Sequence, residues 1–423
     1  MDSFEYRGGE LYAEGVSAER LAEEFGTPLY VYSAATIRDH YGKIAEAFRE
    51  MDPVICYSVK ANGNLAVLKL LADAGAGFDV VSGGELYRAL RVGGEAQKIA
   101  YAGVGKTRRE MREALEAGIL MFNVESAPEL AVLNEVAGEA GESAPVALRV
   151  NPDVEPGTHD YVATGRKETK FGISFDAAAD VLARAADFPN VRFRGLHLHI
   201  GSQITEVAPY EAALAKAVAF IKAHRSERAP LDWLDTGGGF GIFYQGNEAR
   251  DIADFASVIV PAVREAGCHL VLEPGRFIIG NAGVLLARVL YVKQTPAKRF
   301  VITDAAMNDL VRPSLYSAYH EIWPARAGLL PPSRGGAASA SLEHADIVGP
   351  VCESGDFLAK DRPFPKIAAG ELVAVFSAGA YGFSMSSNYN GRPRAAEVLV
   401  EGDTARLVRG RETYENLVRG ESS

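Results

Sequence analysis

Between residues 53 and 273 the sequence alternates short apolar, strand-like runs with stretches of helical periodicity. The runs are 53–59 (PVICYSV), 77–81, 97–101, 119–123, 145–150, 193–200, 231–236 and 269–273. The segment 64–75 shows the helical pattern. Asn64 can cap its start, Leu65, Leu68 and Leu71 share a face, and Gly75 can end it. Eight strands joined by helical crossovers predict an α/β chain folded as a (β/α)8 TIM barrel. The alternative is an open doubly wound sheet. The stretch 151–175, rich in Gly, Thr and Lys, reads as a long lid or binding loop.

Beyond about residue 282 the helical pattern gives way to strand-like runs, ending in a hairpin expected to turn near Gly402-Asp403. A chain of 423 residues is too long for one ordinary core. The expected division is a barrel over 36–282 and a second, mostly β domain built from 1–35 and 283–423. The run PLYVYS (28–33) supplies a strand to that second domain, and 324–342, rich in Pro, Gly, Ala and Ser, reads as a surface loop.

Composition narrows the partners. The net charge is −11 and 48% of residues are hydrophobic, so a sizeable core is expected, and nucleic acid and anionic membranes are not expected partners. No apolar run is long enough to span a bilayer, and the N-terminus shows no secretory signal. The three cysteines, Cys56, Cys268 and Cys352, have no metal-type spacing, which fits a reducing, cytoplasmic setting.

In a barrel, chemistry gathers at the C-terminal ends of the strands. Those ends carry Lys60, Asp79, Arg149, the pair His197 and His199, the run Gly237-Gly238-Gly239, and Glu273 followed by Gly275 and Arg276. Each has an ordinary reading alone: Lys60 as a surface lysine, the glycines as a tight turn, Glu273 and Arg276 as partners of each other, Cys352 as an inert thiol. His197 and His199 are read as pointing to opposite faces, so no more than one is expected to look into the barrel. No third ligand is seen to accompany them, so no metal is expected. The glycines let backbone N–H groups approach a phosphate. An amine, a phosphate cradle and a carboxylate together suit pyridoxal 5'-phosphate, with Lys60 as the amine that forms the Schiff base.

The motifs YSVKAN, FDVVSGGEL, NPDVEPGTHDYVATG, KFGI, HLHIGSQI, GGGFGI, EPGR, RPSLY, GPVCESGD and AGAYGFSMSSNYNGRPR occur in order. Through them nearly the whole chain resembles the diaminopimelate decarboxylases, pyridoxal-phosphate enzymes of alanine-racemase-like fold. The resemblance implies decarboxylation of meso-2,6-diaminopimelate to L-lysine, with a related diacid, basic or carrier-tethered amino acid as the alternative substrate. It implies that Lys60 holds the cofactor, His199 stacks on its ring, and Glu273 faces its nitrogen. Asp79 joins the cofactor site, and the phosphate is bound by Gly237, Gly238, Gly239, Gly275, Arg276, Ser202 and Tyr381. Arg276, Arg312, Tyr316 and Tyr381 would bind substrate. Cys352 would donate the proton and Glu353 would bind the distal amine, both supplied across the interface of a homodimer. Ser58 stands where these enzymes commonly have alanine, a change expected to be without effect.

Overall fold

The computed structural model describes residues 2–154, 170–245, 249–328, 330–331 and 342–422. They form two compact units. One comprises the described residues of 40–242 and 249–277, the other those of 1–39, 243–248 and 278–423.

In the first unit eight described strands close into a barrel. They are β1 (Val54–Ser58), β2 (Gly77–Val80), β3 (Ile99–Tyr101), β4 (Met121–Val124), β5 (Ala144–Val150), β6 (Val191–Leu198), β7 (Trp233–Asp235) and β8 (His269–Leu272). Neighbours in sequence pair in parallel, and β8 returns to β1 through Val271 opposite Val54. The open-sheet alternative is thereby excluded. The crossover helix Leu65–Asp73 is capped by the Asn64 side chain, which accepts from the Ala66 N–H. Val67, Leu68 and Leu71 are buried, whereas Leu65 is exposed, so the apolar face is rotated from the expected one.

Side chains two apart on a strand share a face, and this builds the barrel interior in layers. Cys56, Ala100, Met121, Ala147 and Val271 form an apolar plug, with Val54 and Trp233 packed against it. Two residues further along their strands stand Ser58, Asn123, Arg149, Asp235 and Glu273, all buried. A polar layer therefore rests on a dry one, at the end where the strands finish.

The second unit holds a nine-stranded sheet. Its main path runs Phe357–Phe364, Glu343–Val348, Arg299–Thr303, Gly283–Gln294, Leu29–Ser33, Ala396–Glu401, Thr404–Arg409. Leu29–Ser33, the strand seen in PLYVYS, pairs with Gly283–Gln294 and Ala396–Glu401. The terminal hairpin turns at Gly402-Asp403, with Glu401 opposite Thr404. Leu29, Val31, Leu286, Trp323, Phe376 and Val398 belong to its core. The strand Phe357–Phe364 was not expected. It contains Lys360, Asp361, Arg362 and Pro363, a composition tolerated because it lies at the sheet's edge. Of the expected loops, 155–169, 329 and 332–341 lie outside the described residues. No helix among the described residues is long and apolar enough to cross a membrane.

Candidate active site

Lys60 sits one turn past β1, in the short 3-10 segment Val59–Ala61. Its Nζ lies 2.8 Å from Oδ2 of Asp79, at the end of β2. The Lys60 side chain is 35% exposed and that of Asp79 is 0%, so the amine is tethered at the barrel mouth rather than loose in solvent. Ser58 is engaged: its Oγ is 2.7 Å from Asp79 Oδ2 and 3.0 Å from the Glu273 carbonyl oxygen. Burial, then the charge of Glu273, raise the Asp79 carboxyl, while Lys60 and Ser58 oppose the rise.

Glu273 follows β8 and is buried. Its Oε2 is 3.1 Å from His197 Nε2, and its Oε1 accepts from Asn123 Nδ2 at 2.9 Å. Burial pushes its carboxyl up, but the charge and hydrogen bond of His197, followed by Lys60, outweigh burial and hold it well below the usual carboxylate range. Asp235 behaves oppositely. Burial and the neighbouring Glu273 hold it well above that range. Glu273 does not take Arg276 as its partner; Arg276 Nη2 donates to Ser202 Oγ at 3.0 Å.

Two expectations about the histidines fail. Residues 197 and 199 are two apart, so they belong to the same side of the chain, not to opposite faces. His197 meets Glu273, and His199, just beyond β6, is held well below the usual imidazole range by burial, then by the charges of Arg149 and Lys60. Further ligating groups do accompany His197. Ligand atoms of His197, Asp235 and Glu273 lie within 4.8 Å of one another. Their oxygens are already engaged, by Asn123, by His197 and by the Gly237 N–H, which donates to Asp235 Oδ1 at 2.9 Å.

The glycine run after β7 is required by close packing. A Cβ on Gly238 would stand 2.0 Å from the Glu273 carbonyl oxygen, and one on Gly237, whose φ is +67°, 2.5 Å from the Leu198 oxygen. Only bare backbone lets the ends of β6, β7 and β8 approach so closely. Gly275 serves the same purpose beside Ser58, where a Cβ would meet its Cβ at 2.9 Å.

Arg149 at the end of β5 pairs with buried Glu125 at 2.6 Å, and Glu125 also accepts the N–H groups of Gly103 and Gly172. Asn123, Glu125 and Asp235 were not singled out from the sequence. Their signal is a polar residue two positions after an apolar plug residue, or at a strand's exit.

The remaining expected residues belong to the second unit. Arg312 begins the helix Arg312–Tyr316 and is buried. Its guanidinium carbon is 5.5 Å from the Tyr244 ring centroid and 5.8 Å from that of Tyr316. Its Nη2 donates to Tyr244 Oη at 3.2 Å, and its Nε to His320 Nε2 at 3.3 Å. His320 Nδ1 in turn reaches the Phe376 carbonyl at 2.9 Å, which fixes the ring so that Nε2 accepts. Cys352 is exposed, and its N–H donates to Asn390 Oδ1 at 3.0 Å. Glu353 accepts from Tyr389 Oη at 2.8 Å. Tyr381 is half-buried with φ +56°, a conformation rare for a bulky residue and concentrated at functional sites.

The donor set suits pyridoxal phosphate. It offers a tethered, accessible amine and a buried carboxylate held ionised against its own burial, the chemistry a protonated ring nitrogen needs. These features define a class, the barrel enzymes that work with pyridoxal phosphate. Comparison narrows it. Residues 34–280 match the family described as pyridoxal-dependent decarboxylase, pyridoxal binding domain. A diaminopimelate decarboxylase of Pseudomonas fluorescens is 51% identical over 423 residues, covering 100% of this chain and 99% of that one. The crystal structure of diaminopimelate decarboxylase from M. jannaschii in co-complex with L-lysine superposes with a TM-score of 0.92 at 38% identity, covering 100% of this chain and 98% of that one. The corresponding Helicobacter pylori structure with L-lysine gives 0.88 at 38% identity, covering 95% and 98%. The chain belongs to the diaminopimelate decarboxylase family of pyridoxal-dependent decarboxylases.

Proposed function

We propose that this protein removes CO2 from meso-2,6-diaminopimelate to give L-lysine. The observation that carries the reading is the buried Glu273 carboxylate, which takes hydrogen bonds at both oxygens, from Asn123 and His197, and is held low against its burial by His197 and then Lys60. Lys60 would hold the pyridoxal phosphate through its Nζ. When bound, the cofactor's ring draws off the electron pair left by departing CO2. Glu273 would face the ring nitrogen and hold a proton there, which would strengthen that withdrawal. His199, held well below the usual imidazole range, would stack on the ring without adding positive charge. Gly237, Gly238, Gly239, Gly275, Arg276, Ser202 and Tyr381 would hold the phosphate, and Asp79 keeps the Lys60 amine in place.

Substrate choice follows from charge. Arg276, Arg312 and Tyr316 would bind the carboxylate of the substrate's far end. Arg312 is already stacked and oriented before any ligand arrives, so little is lost in ordering it. A substrate with a distal cation alone would bring a like charge towards this guanidinium, which disfavours it. The relatives solved with L-lysine support the same choice. The partner subunit's Glu353 would bind the distal ammonium in a homodimer, and the partner subunit's Cys352 would deliver a proton to the carbon that lost CO2. Its three free cysteines suit the reducing cytoplasm.

The decisive measurement is CO2 release by the purified, yellow protein from meso-diaminopimelate against lysine, ornithine and arginine. Release from diaminopimelate alone is expected. A preference for any of the three basic amino acids would overturn the substrate assignment, and a colourless protein that takes up no pyridoxal phosphate would overturn the cofactor.

A further inference from the structure

Beneath Glu273 lies a second carboxyl group to which nothing above gives a task. Asp235 ends β7, with a relative exposure of 0%. Its register partners are His197 on β6 and Val271 on β8. Glu273 is two residues beyond Val271, so the two acids rise from adjacent strands into the same buried polar layer. Asn123 Nδ2 bridges them, 3.1 Å from Asp235 Oδ2 and 2.9 Å from Glu273 Oε1.

Two carboxylates cannot both stay ionised in such a place without compensation. Among the described residues, the cations nearby are already engaged. Lys60 is paired with Asp79, and Arg149 with Glu125. His199 is held neutral. His197 remains, and it lies against Glu273. Asp235 receives hydrogen bonds from neutral donors, the Gly237 N–H and the Asn123 amide. The other titratable group below is the Cys56 thiol, which burial and then the charges of Asp235, Glu273 and Asp79 push up. The layer therefore contains one acid with a charged-capable partner and one without.

We propose that Asp235 is kept as a neutral carboxylic acid and acts as a positioning residue, fixing Glu273 as the single anion at the closed end of the site. The raised range of Asp235 and the lowered range of Glu273 agree with this division. The proposal deepens the cofactor reading: a lone, aimed anion is what a ring nitrogen requires, whereas a dianion would draw a proton into the protein instead. Asn123 fits the task, because its Nδ2 carries two hydrogens and can give one to an oxygen of each acid.

Infrared spectroscopy of protein carrying carbon-13-labelled aspartate tests this directly. The wild type should show a protonated-carboxyl band that persists from about pH 6 to about pH 9 and is missing from Asp235→Asn. Asp235→Asn should keep the pH titration of the bound cofactor's visible absorbance, with cofactor affinity reduced by about tenfold or less, while Asp235→Ala, which strands the Asn123 and Gly237 donors, should lose roughly 10–100-fold. The proposal falls if the wild type lacks the band, or if Asp235→Asn shifts the visible titration as far as Asp235→Ala does. Should Asp235→Asn not fold, Asn123→Ser replaces it: the band moves if it belongs to Asp235, and stays put if the proposal is wrong. The infrared band is read in the protein with or without cofactor, so a failure to bind pyridoxal phosphate would count against the cofactor reading alone.

Discussion

Oδ2 of Asp79 accepts from Lys60 Nζ at 2.8 Å and lies 2.7 Å from Ser58 Oγ, so one fully buried oxygen organises both the reactive amine and the hydroxyl beneath it. Hydrogen bonds to a buried charge are among the stronger ones. Ser58→Ala should therefore cost about 1.5–3 kcal/mol of stability in a denaturant titration, and should raise the Asp79 carboxyl further, since Ser58 is one of the groups holding it down. An unchanged midpoint would show that the hydroxyl is idle. Lys60→Ala, by contrast, should fold and lose the yellow colour altogether.

Gly238→Ala should be far more damaging than its chemistry suggests. The new Cβ would stand 2.0 Å from the Glu273 carbonyl oxygen and 2.7 Å from its carbonyl carbon, which are backbone atoms with nowhere to swing. Glu273 must move, because its N–H is bonded to the Gly237 oxygen at 2.8 Å. A loss of about 3 kcal/mol or more, with loss of bound cofactor, is expected. Gly75, with φ +89° and nothing within 4 Å of its would-be Cβ, is the control. Its alanine variant should show only the modest cost of a strained dihedral in thermal unfolding, and keep the cofactor.

The barrel was legible because its signal is local: each strand is a short apolar run, and each crossover repeats at helical spacing. The polar layer was only half legible. Lys60, Asp79 and Glu273 stand out as charges at strand ends, while Asn123 and Asp235 look like ordinary strand exits until register places them beside Glu273. The histidine error came from misapplying a period of two, under which 197 and 199 share a side. Phe357–Phe364 was invisible because an edge strand is free to be charged and to carry Pro363. Tyr244 and His320 were missed because they reach Arg312 only through tertiary folding, from 68 and 8 residues away.

Arg312 is held by two aromatic rings and by His320, a setting made for a planar fork. Arg312→Lys keeps the charge but cannot keep that geometry. We expect kcat/KM for diaminopimelate to fall about 10²-fold or more, chiefly through KM, with the visible spectrum of the cofactor intact. A variant with unchanged KM would remove Arg312 from substrate recognition.

Cys352 is exposed, on a loop whose Asp356 carboxylate accepts the N–H groups of Val351 and Met307, each at 2.7 Å. Cys352→Ala should keep its colour and slow turnover roughly 10²–10⁴-fold. Mixing Cys352→Ala subunits with Lys60→Ala subunits distinguishes where the thiol acts. If each thiol serves its partner's site, a mixed dimer regains one intact site and activity returns. If it serves its own, every site in the mixture lacks one of the two groups and the mixture stays inactive.

Asp309 offers a test of pH dependence away from the chemistry. It is buried, its Oδ2 accepts the Ala306 N–H at 3.0 Å, and its carbonyl accepts from Tyr30 Oη at 2.6 Å. Burial raises its carboxyl from 3.8 to about 7, against the Ala306 hydrogen bond and the charge of Arg392. A raised folded value means that the native state binds the proton more tightly than the unfolded chain. The contribution to stability is thus complete below about pH 4 and is lost as pH rises through about 7. At about 1.4 kcal/mol per pH unit, the ceiling is about 4 kcal/mol. Asp309→Asn cannot ionise and should lack this slope. Urea unfolding of both proteins at about pH 5 and about pH 8 should show the wild type losing stability relative to the variant as pH rises. A difference between the two proteins that stays flat over that interval would mean Asp309 is already ionised in the native protein at about pH 5, and that burial is not what governs it.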